Sequence, residues 1–467
     1  MNTRRTFLKH AGLGLIAVAP VSTLAAGLAA NQKPKVVSRS QRIIATTKIS
    51  LNIRDFGATG DGQTKDTVAI QQTIDRCSIL GGGEVIIPIG NYLTGAIALR
   101  SNTTLLLEKE AVIIGSPDLK DYPVTQVRWE GKWIPGYSGL IYAIGAQHIG
   151  IKGSGKIVGN NTIGGRPTAD NPLRRPALIE PIDCSDIHFE GFSTEYHLMW
   201  SIHLTYCEHV SIKNLNIRST GGNGDGIDVD SCKHVLIDGC DIATGDDCIS
   251  LKSGRGMEGY QLLRTTEDVH ITNCTFADSI FACIGIGSET SGGIRNVLID
   301  HCRFIQAKTF AIYIKSRVGR GAFIENITAS NLEVSGMAGG FLRFNLSGSG
   351  LQDQVPVPGN EGIPTTKNFK FINIKVTDVP VLIDGGVHAN KPLDGLMLSN
   401  ITGTCLKGIT LANIKNAIIK QVKVAGYTGP LLSIYNVKGL GLAGATPIDA
   451  PKSPDPLPIS STPYVLH

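Results

Sequence analysis

The sequence is poor in aromatic and charged residues and has no long apolar segment beyond its first 30 residues. Phe, Tyr and Trp make up 6% of the 467 residues, and Asp, Glu, Lys and Arg make up 18%. Because no later segment has about 18 consecutive apolar residues, we expect no membrane span after export. The formal net charge of +5 is small for this length, which argues against a nucleic-acid partner. A small positive charge is compatible with an acidic substrate.

Two further absences restrict the chemistry. No group of Cys and His residues has the spacing of a zinc site, and no glycine-rich phosphate-binding loop follows a predicted strand. We therefore expect no metal and no cofactor. Glycine, by contrast, is abundant with 55 residues, which favours a turn-rich, repetitive architecture over a helical one.

The first 30 residues are typical of an export signal. The paired arginines Arg4 and Arg5 precede an apolar stretch at residues 11–19, and small residues follow it. Such a pair resembles a twin-arginine signal, whose cargo crosses the membrane already folded. A plain secretory signal is the alternative, whereas a membrane anchor is disfavoured because the apolar run is short. We predict export to the periplasm or the medium, with residues 31–48 as a linker.

A six-residue pattern recurs along the chain: apolar, any, apolar, any, small or Asn, apolar. Its copies begin at residues 187, 210, 235, 269, 297, 327, 369 and 396. Alternation within each copy indicates a strand, and repetition every 23 to 42 residues indicates a solenoid. The pattern predicts an all-β fold, a single-stranded parallel β-helix of about ten coils. It fills residues 49–450 as one catalytic domain and leaves residues 451–467 as a C-terminal tail.

Equivalent residues of successive coils should stack at the interstrand spacing of about 4.8 Å. Asn suits the fifth position because it tolerates a left-handed turn and can bond to its stacked neighbour. A helical pattern from Asp66 to Cys77 predicts a helix that caps the open N-terminal end. Two columns of cysteines are expected to be small apolar rungs, with disulfides as the alternative: Cys184, Cys207 and Cys232, and Cys240, Cys274 and Cys302.

Four successive coils place polar residues on one face. Their second strands align through the inward pairs Ile227/Val229, Ile249/Leu251, Ile284/Ile286 and Ile312/Ile314. Alternation then turns two columns outward. These columns are Asp228, Ser250, Gly285 and Tyr313, and Asp230, Lys252, Gly287 and Lys315.

Three aspartates fall together beside these columns. In the same register Asp225 stacks on Asp247, in bends before the strands, and Asp246 lies beside them. Three such carboxylates would repel each other and separate their pKa values, leaving one protonated acid and ionised partners, as glycosidic hydrolysis requires. Solvated turn residues are the alternative. The nearby Lys252 and Lys315 favour a functional site.

Four motifs in this region resemble glycoside hydrolase family 28, the polygalacturonases: Asn223-Gly224-Asp225-Gly226-Ile227-Asp228, Thr244-Gly245-Asp246-Asp247-Cys248-Ile249-Ser250, Ile286-Gly287-Ser288-Glu289 and Ile314-Lys315. The resemblance implies a right-handed β-helix that hydrolyses a pectic polysaccharide with inversion. By motif, Asp246 resembles the general acid, and Asp225 and Asp247 resemble the pair that activates water. Inversion implies carboxyl groups about 6.5–9.5 Å apart.

Two positions depart from the family pattern. Ala282 stands where the family usually has a histidine, and Tyr313 stands where it has the arginine that pairs with a uronate. Only the point charge of Lys315 remains at that position, unless Arg317 or Arg320 reaches back. We therefore expect poor activity on plain polygalacturonan, and a rhamnogalacturonan or decorated pectin becomes a rival substrate.

Further residues are candidates for contacts with the sugar chain. The predicted substrate-binding residues are Lys315, Tyr313, Asp228, Lys252, His203 and Glu289. A segment with Trp129, Trp133 and Tyr137 would form a sugar-stacking platform or pack as a loop. For Arg174 and Arg175 a solvated loop is favoured over binding of an acidic sugar.

Two other functions compete with hydrolysis. The first is a calcium-dependent pectic lyase, in which Arg255 or Arg317 would abstract the proton. The second is a non-catalytic carbohydrate-binding protein, which the replacement at Ala282 motivates. In each case the predicted partner is a pectic polysaccharide or oligosaccharide, and the chain is expected to be monomeric.

Overall fold

The computed structural model describes residues 49–452 and residue 457. The predicted export signal and linker, and nearly all of the predicted C-terminal tail, lie outside the described residues. Within them, the chain winds through three parallel sheets, to which successive coils add strands.

The strands of the first sheet are Ile49–Asn52, Gly83–Ile87, Thr103–Leu107, Gln147–Gly153, Ser185–Glu190, Glu208–Lys213, Lys233–Asp238, Thr266–Thr272 and Ile294–Asp300. Those of the second sheet are Asp61–Lys65, Gly90–Thr94, Ala111–Gly115, Lys156–Val158, Ser193–Glu195, Asn216–Arg218, Asp241–Ala243, Thr275–Ala277 and Arg303–Phe304. Those of the third sheet are Ile97–Ala98, Ile141–Ile144, Ile179–Ile182, Ile202–Thr205, Ile227–Asp230, Ile249–Lys252, Ile284–Ile286, Phe310–Lys315 and Gly340–Asn345. The later coils consist of strands that mostly bend from one sheet into the next, Phe323–Ser335, Thr365–Gly386, Leu393–Ala425, Leu432–Leu440 and Thr446–Pro447.

This architecture is a right-handed parallel β-helix, which confirms the predicted fold class. The alternating apolar residues of all three sheets point into one continuous core of Ile, Val, Leu and Phe side chains. The predicted repeat lies in the first sheet, where Val210, Val235 and Val269 are register partners on successive strands. A solenoid of this kind buries its apolar face only by stacking neighbouring coils.

Asparagine ladders support the bends between the sheets. Asn331, Asn373 and Asn400 adopt left-handed backbone conformations with φ between 53° and 58°. The Asn373 side chain donates to Asn331 at 3.0 Å, and Asn400 donates to Asn373 at 2.9 Å. The predicted role of Asn at the fifth position is therefore confirmed, because the side chain satisfies the turn and links adjacent coils at the same time.

The cysteines stack as predicted. All ten are buried free thiols. The backbone N–H of Cys207 donates to the sulfur of Cys232 on the next coil at 3.2 Å. Burial raises the pKa of Cys207 well above its ordinary value. These thiols therefore pack as small apolar side chains.

The predicted capping helix spans Thr67–Ile79. It buries Ile70, Ile74 and Cys77 against the first coils and so closes the N-terminal end of the core. A second helix spans Gly256–Leu262, and short 3-10 helices span Ile53–Phe56, Leu119–Asp121 and Gly359–Gly362. In the part of the chain that the structure describes, no helix has the length and apolar character to cross a membrane.

An antiparallel hairpin leaves the solenoid within the third coil, between the strands Ala111–Gly115 and Ile141–Ile144. Its strands are Val124–Trp129 and Lys132–Tyr137. The hairpin reaches the third sheet, where Arg128 Nε lies 3.2 Å from Asp230 Oδ2 and both side chains are buried. It thereby covers part of the face on which the sequence places the polar columns.

Candidate active site

The third sheet brings the polar columns together in the predicted register. Ile227, Ile249, Ile284 and Ile312 are stacked partners, and so are Asp228, Ser250, Gly285 and Tyr313. The aligned apolar pairs therefore predicted the register correctly. The columns do point away from the core, but the hairpin and neighbouring loops bury them, so they form the floor of a site rather than an open surface.

The three aspartates converge in the bends before two of these strands. Asp225 and Asp247 each lie two residues ahead of a strand, as predicted. One carboxylate oxygen from each of Asp225, Asp246 and Asp247 lies within 4.8 Å of the other two. Gly245 permits this approach, because a Cβ atom there would lie 2.1 Å from the carbonyl oxygen of Gly221.

Of the three aspartates, Asp247 has the most hydrogen-bond donors around it. Lys315 Nζ donates to Oδ2 at 2.9 Å, and the backbone N–H of Ala282 donates to Oδ1 at 3.1 Å. Ser250 Oγ lies 3.0 Å from Oδ2. An ionised carboxylate is an acceptor only, and this arrangement suits it. Ala282, which departs from the family pattern, thus contributes its backbone N–H to the site.

Asp225 and Asp246 are biased toward the protonated form. Burial, followed by the charge of Asp228, raises the pKa of Asp225 well above its usual range. Burial and then the charge of Asp247 raise the pKa of Asp246. Asp225 is 4% exposed, whereas Asp246 is only partly buried. Of the two carboxyls with a raised pKa, Asp246 is therefore the one that a ligand in the site can reach.

Two lysines neutralise the carboxylates from opposite sides. Lys252 forms an ion pair with Asp228, and its Nζ lies 3.7 Å from Asp225 Oδ2. The same ammonium lies 4.2 Å from the ring centre of Trp200, a cation–π contact that holds it in place. Lys315 binds Asp247, so both lysines that the sequence singled out contact the aspartate cluster.

Glu289 completes the charged floor of the site. Burial alone would raise the pKa of Glu289, but the charges of Lys252, Arg320 and Lys315 lower it below its usual value. The residue is thus an additional buried carboxylate behind both lysines. Its predicted contact with substrate stays a prediction.

The three aspartates approach each other closely. One oxygen of each residue lies within 4.8 Å of an oxygen of the other two, whereas the 6.5–9.5 Å expected for inversion separates the carboxyl groups of the acid and the base as wholes, so that expected spacing stays a prediction. Asp225 and Asp247 lie close because they are stacked on adjacent coils, which are about 4.8 Å apart. A water molecule can still bond to oxygens on both residues at this distance.

The N-terminal side of the aspartates is closed. Trp200 lies one coil before Asp225, and Trp129 of the hairpin stacks on it with ring centres 5.4 Å apart. Trp133 packs edge-on against Tyr206, with ring centres 5.6 Å apart. The aromatic segment of the sequence is therefore a wall of the site, held by packing against residues of the third sheet.

A buried ion-pair network supports this wall. Arg174 donates both terminal nitrogens to Glu180, at 2.6 and 2.7 Å, and the two side chains are 0% and 1% exposed. His203 Nδ1 lies 3.2 Å from the same carboxylate. The charges of Arg174 and His203 outweigh burial and lower the pKa of Glu180 to about 2. His203 thus lies beneath the wall, and its predicted contact with substrate stays a prediction.

The solvated loop predicted for Arg174 and Arg175 was wrong. Both side chains are buried. Arg174 is neutralised by Glu180, and Arg175 donates to the carbonyl oxygen of Leu198 and lies 5.7 Å from the ring centre of Trp129. The error arose because the hairpin also covers Arg174, through the carbonyl oxygens of Arg128 and Tyr137, and the partners of Arg175 lie on the hairpin and the next coil, which local sequence does not show.

On the other side of the aspartates the face is lined by aromatic rings and cations. Tyr313 stacks on Phe281 with ring centres 5.8 Å apart, and its hydroxyl lies 3.2 Å from Ser349 Oγ. Lys315 Nζ lies 4.3 Å from the ring centre of Phe281. Arg320, considered as a replacement for the missing arginine, is buried and lies 3.3 Å from Asp353, so it does not reach this position.

Sequence reasoning missed the role of Gly285. A Cβ atom at this position would lie 2.3 Å from Asp247 Oδ2. Only a hydrogen therefore leaves room for the carboxylate in its observed position. The feature of the sequence that could have indicated this role is a glycine in an outward column otherwise occupied by functional side chains. It can be recognised only once the register of the strands is known.

The aspartate cluster is also the one group of described residues whose ligand atoms could surround a metal ion. Lys315 Nζ and Lys252 Nζ already lie 2.9 and 3.7 Å from its carboxylates. A divalent cation would have to overcome the repulsion of both ammonium groups. Arg255, a candidate base for a lyase, instead forms ion pairs with Asp353 and Glu130 at 2.8 and 3.2 Å.

Comparison with known proteins agrees with the motifs. The family model of glycosyl hydrolases family 28 matches residues 77–342. A probable polygalacturonase of Vitis vinifera is 29% identical over 369 residues, covering 76% of this chain and 74% of that protein. An exopolygalacturonase from Thermotoga maritima has a similar structure, with a TM-score of 0.67 and 26% identity over 84% of this chain and 92% of that one. A family 28 exopolygalacturonase from Yersinia enterocolitica has the same fold, with a TM-score of 0.75 and 22% identity over 86% and 79%. The chain therefore belongs to the glycosyl hydrolases of family 28 and is an O-glycosyl hydrolase.

Proposed function

We propose that the protein hydrolyses the glycosidic bonds of a galacturonate-containing pectic polysaccharide. The observation that carries this proposal is the convergence of Asp225, Asp246 and Asp247, of which Asp246 has a raised pKa and remains partly exposed. The names of the relatives support the substrate class. Lys252 and Lys315 add positive charge beside the aspartates, which suits an acidic sugar chain.

The geometry supports a specific division of labour. Asp246 gives its proton to the glycosidic oxygen as the bond breaks. Asp225 Oδ1 has no hydrogen-bond partner among the described residues, so it is available to hold the attacking water together with Asp247. Ser250 Oγ lies 3.2 Å from Asp225 and links it to Asp247. The attacking water gives a proton to the Asp247 carboxylate as its oxygen bonds to the anomeric carbon, on the face opposite the breaking glycosidic bond. This single displacement inverts the anomeric carbon, and nuclear magnetic resonance of the first product would show its anomeric configuration.

Hydrolysis and lyase chemistry give different products on the same polymers. With polygalacturonan, rhamnogalacturonan and methyl-esterified pectin, we expect new reducing ends without absorbance from a conjugated double bond. A chelator should leave the rate unchanged, because the two lysines already neutralise the aspartates. Ultraviolet-absorbing products that vanish with chelator would assign the protein to the lyases. Binding without any new reducing ends would favour a carbohydrate-binding protein.

We further propose that the enzyme attacks from one end of the sugar chain. The outward column of the third sheet is buried from Glu180 through Tyr313 and becomes partly exposed at Arg343. Trp200, one coil before Asp225, stacks on Trp129 of the hairpin and forms the wall on the N-terminal side. A polymer that enters from the side of Arg343 is therefore stopped at this wall. We expect short products from the first turnovers and slow loss of viscosity, whereas a rapid fall in viscosity would refute this proposal.

Tyr313 should weaken the preference for plain polygalacturonan. A phenol can stack on a sugar but brings no positive charge, and a guanidinium–carboxylate bond contributes about 1.5–3 kcal/mol. We expect Tyr313→Arg to raise the ratio of activity on polygalacturonan to that on rhamnogalacturonan about tenfold or more. Tyr313→Phe is the matched control, since it keeps the ring without adding charge. A parent enzyme that already strongly prefers polygalacturonan would contradict this expectation.

The localisation remains a proposal of the same kind. We propose export through the twin-arginine signal predicted in residues 1–30, which lie outside the described residues. Replacing Arg4 and Arg5 by lysine should then retain the enzyme in the cytoplasm, and a cell fractionation assay would show this. Unchanged export would indicate a plain secretory signal.

A further inference from the structure

A cationic side chain lies where the active-site face opens toward the C-terminal coils. Arg343 is the register partner of Tyr313 on the next strand of the third sheet, Gly340–Asn345. Its guanidinium lies 5.5 Å from the ring centre of Tyr313 and 5.8 Å from that of Phe310. A guanidinium packed against aromatic rings is oriented while its N–H groups stay available for a carboxylate.

The ion pair that Arg343 makes is weak and exchangeable. Arg343 Nε lies 3.4 Å from Asp384 Oδ2, and the two side chains are 39% and 46% exposed. Exposed pairs of this kind contribute little to stability. Arg320 is different, because it is buried and bound to Asp353 and to the carbonyl oxygen of Leu351. Of these two arginines, Arg343 is the one that a ligand can engage.

A cleft of about 770 Å³ begins at Arg343 and continues along the same face. Asn345, one of its lining residues, is the register partner of Lys315. The cleft therefore begins one coil beyond Tyr313 and Lys315. Its lining includes the basic Arg343 and Lys452 and the acidic Asp384 and Asp449, so positive charge is local to Arg343 rather than spread over the cleft.

We propose that Arg343, with Tyr313 beneath it, forms a distal subsite for a uronate residue of the bound sugar chain. This inference rests on the proposed function. Coils are about 4.8 Å apart, so one coil accommodates about one pyranose unit. Arg343 thus meets the carboxylate of the sugar that follows the one beside Tyr313 and Lys315. It determines specificity and takes no part in bond cleavage, because it lies three coils beyond the strand that follows Asp247.

The dependence of activity on chain length tests this subsite. We would measure kcat/KM on galacturonate oligomers from the dimer upward for the parent, Arg343→Gln and the control Arg303→Gln, which alters an exposed arginine of the second sheet. Arg343→Gln should lose about tenfold or more on the tetramer and longer oligomers, mainly through KM, and nothing on the dimer or the trimer. Methyl-esterified oligomers should reduce the difference between Arg343→Gln and the parent, because their carboxylates are uncharged.

A binding measurement separates this inference from the proposed function. Calorimetric titration of the same oligomers into Asp246→Asn, with and without Arg343→Gln, does not require turnover. Binding that depends on Arg343 in a protein that cleaves no pectic polymer would overturn the proposed function alone. Cleavage with the same length dependence in Arg343→Gln and the parent, or an equal loss on the dimer and on longer oligomers, would overturn the distal subsite alone.

Discussion

Asp246→Asn is expected to remove nearly all turnover and leave the fold intact. The amide is nearly isosteric and keeps an oxygen for the backbone N–H of Asp247, which donates to Oδ1 at 3.0 Å, but it cannot give a proton to the leaving oxygen. General acid catalysis contributes about 10²- to 10⁴-fold, so the loss should be of that order. The measurement is kcat on a pectic oligomer, together with a thermal unfolding curve.

The control for this variant is Asp170→Asn, which alters an exposed aspartate away from the cluster. It should retain parental activity. If Asp246→Asn keeps more than a few per cent of the parental kcat, Asp246 is not the general acid. Asp225, whose pKa burial also raises, would then be the next candidate.

The rate should also fall as the pH rises. Burial and the charge of Asp247 raise the pKa of Asp246, so the proton needed for catalysis is present at low pH and is lost as the pH passes through this raised value. The residual activity of Asp246→Asn should lack that decline. A parental rate that increases steadily into the alkaline range would contradict the assignment.

Arg174→Met is expected to destabilise the protein by about 3–5 kcal/mol, because it leaves the buried carboxylate of Glu180 without its bidentate partner. Denaturant unfolding would measure this change. Arg303→Met is the matched control, since the exposed pair of Arg303 and Glu333 should contribute less than about 1 kcal/mol. The double variant Arg174→Met/Glu180→Gln should recover part of the loss, because it removes the unpaired charge.

The direction in which the stability of the protein changes with pH follows from Glu180. Its pKa is lowered from 4.5 to about 2 in the folded protein. Its stabilising contribution is therefore complete above pH 4.5 and is lost as the pH falls toward 2. Arg174→Met should lose most of this dependence. Equal stability of Arg174→Met and the parent near neutral pH would show that the network does not support the wall of the site.

The repeat explains why so much of the fold was predictable. In a solenoid the contact of Val210 with Val235 follows from their equivalent positions in successive copies of the pattern, so alternation within each copy predicts the register and the outward columns. The convergence of Asp225 and Asp247 followed from the same stacking. Their catalytic roles, and those of the predicted substrate-binding residues, remain predictions that the variants above test.

The features that the sequence did not predict depend on contacts that do not recur from one copy of the repeat to the next. The hairpin is an insertion, and nothing in its sequence tells that Arg128 pairs with Asp230 about one hundred residues later. Arg174 pairs with Glu180 only six residues away, but its burial also depends on the hairpin, whose carbonyl oxygens of Arg128 and Tyr137 accept from it. Gly285 is informative only in three dimensions, because the missing side chain makes room for Asp247.

Because the stacked thiols are protected only in the folded protein, the chain resists oxidation only after it has folded. In the folded protein burial keeps Cys207 and Cys283 protonated and out of reach, and a protonated thiol does not attack a disulfide. In the unfolded chain all ten thiols are accessible, and any pair of them can be oxidised to a disulfide that blocks the stacking of coils. A chain that completes its coils in a reducing compartment arrives outside already resistant to oxidation. A chain that enters an oxidising compartment unfolded must instead stack its cysteine columns while its thiols are exposed to oxidation.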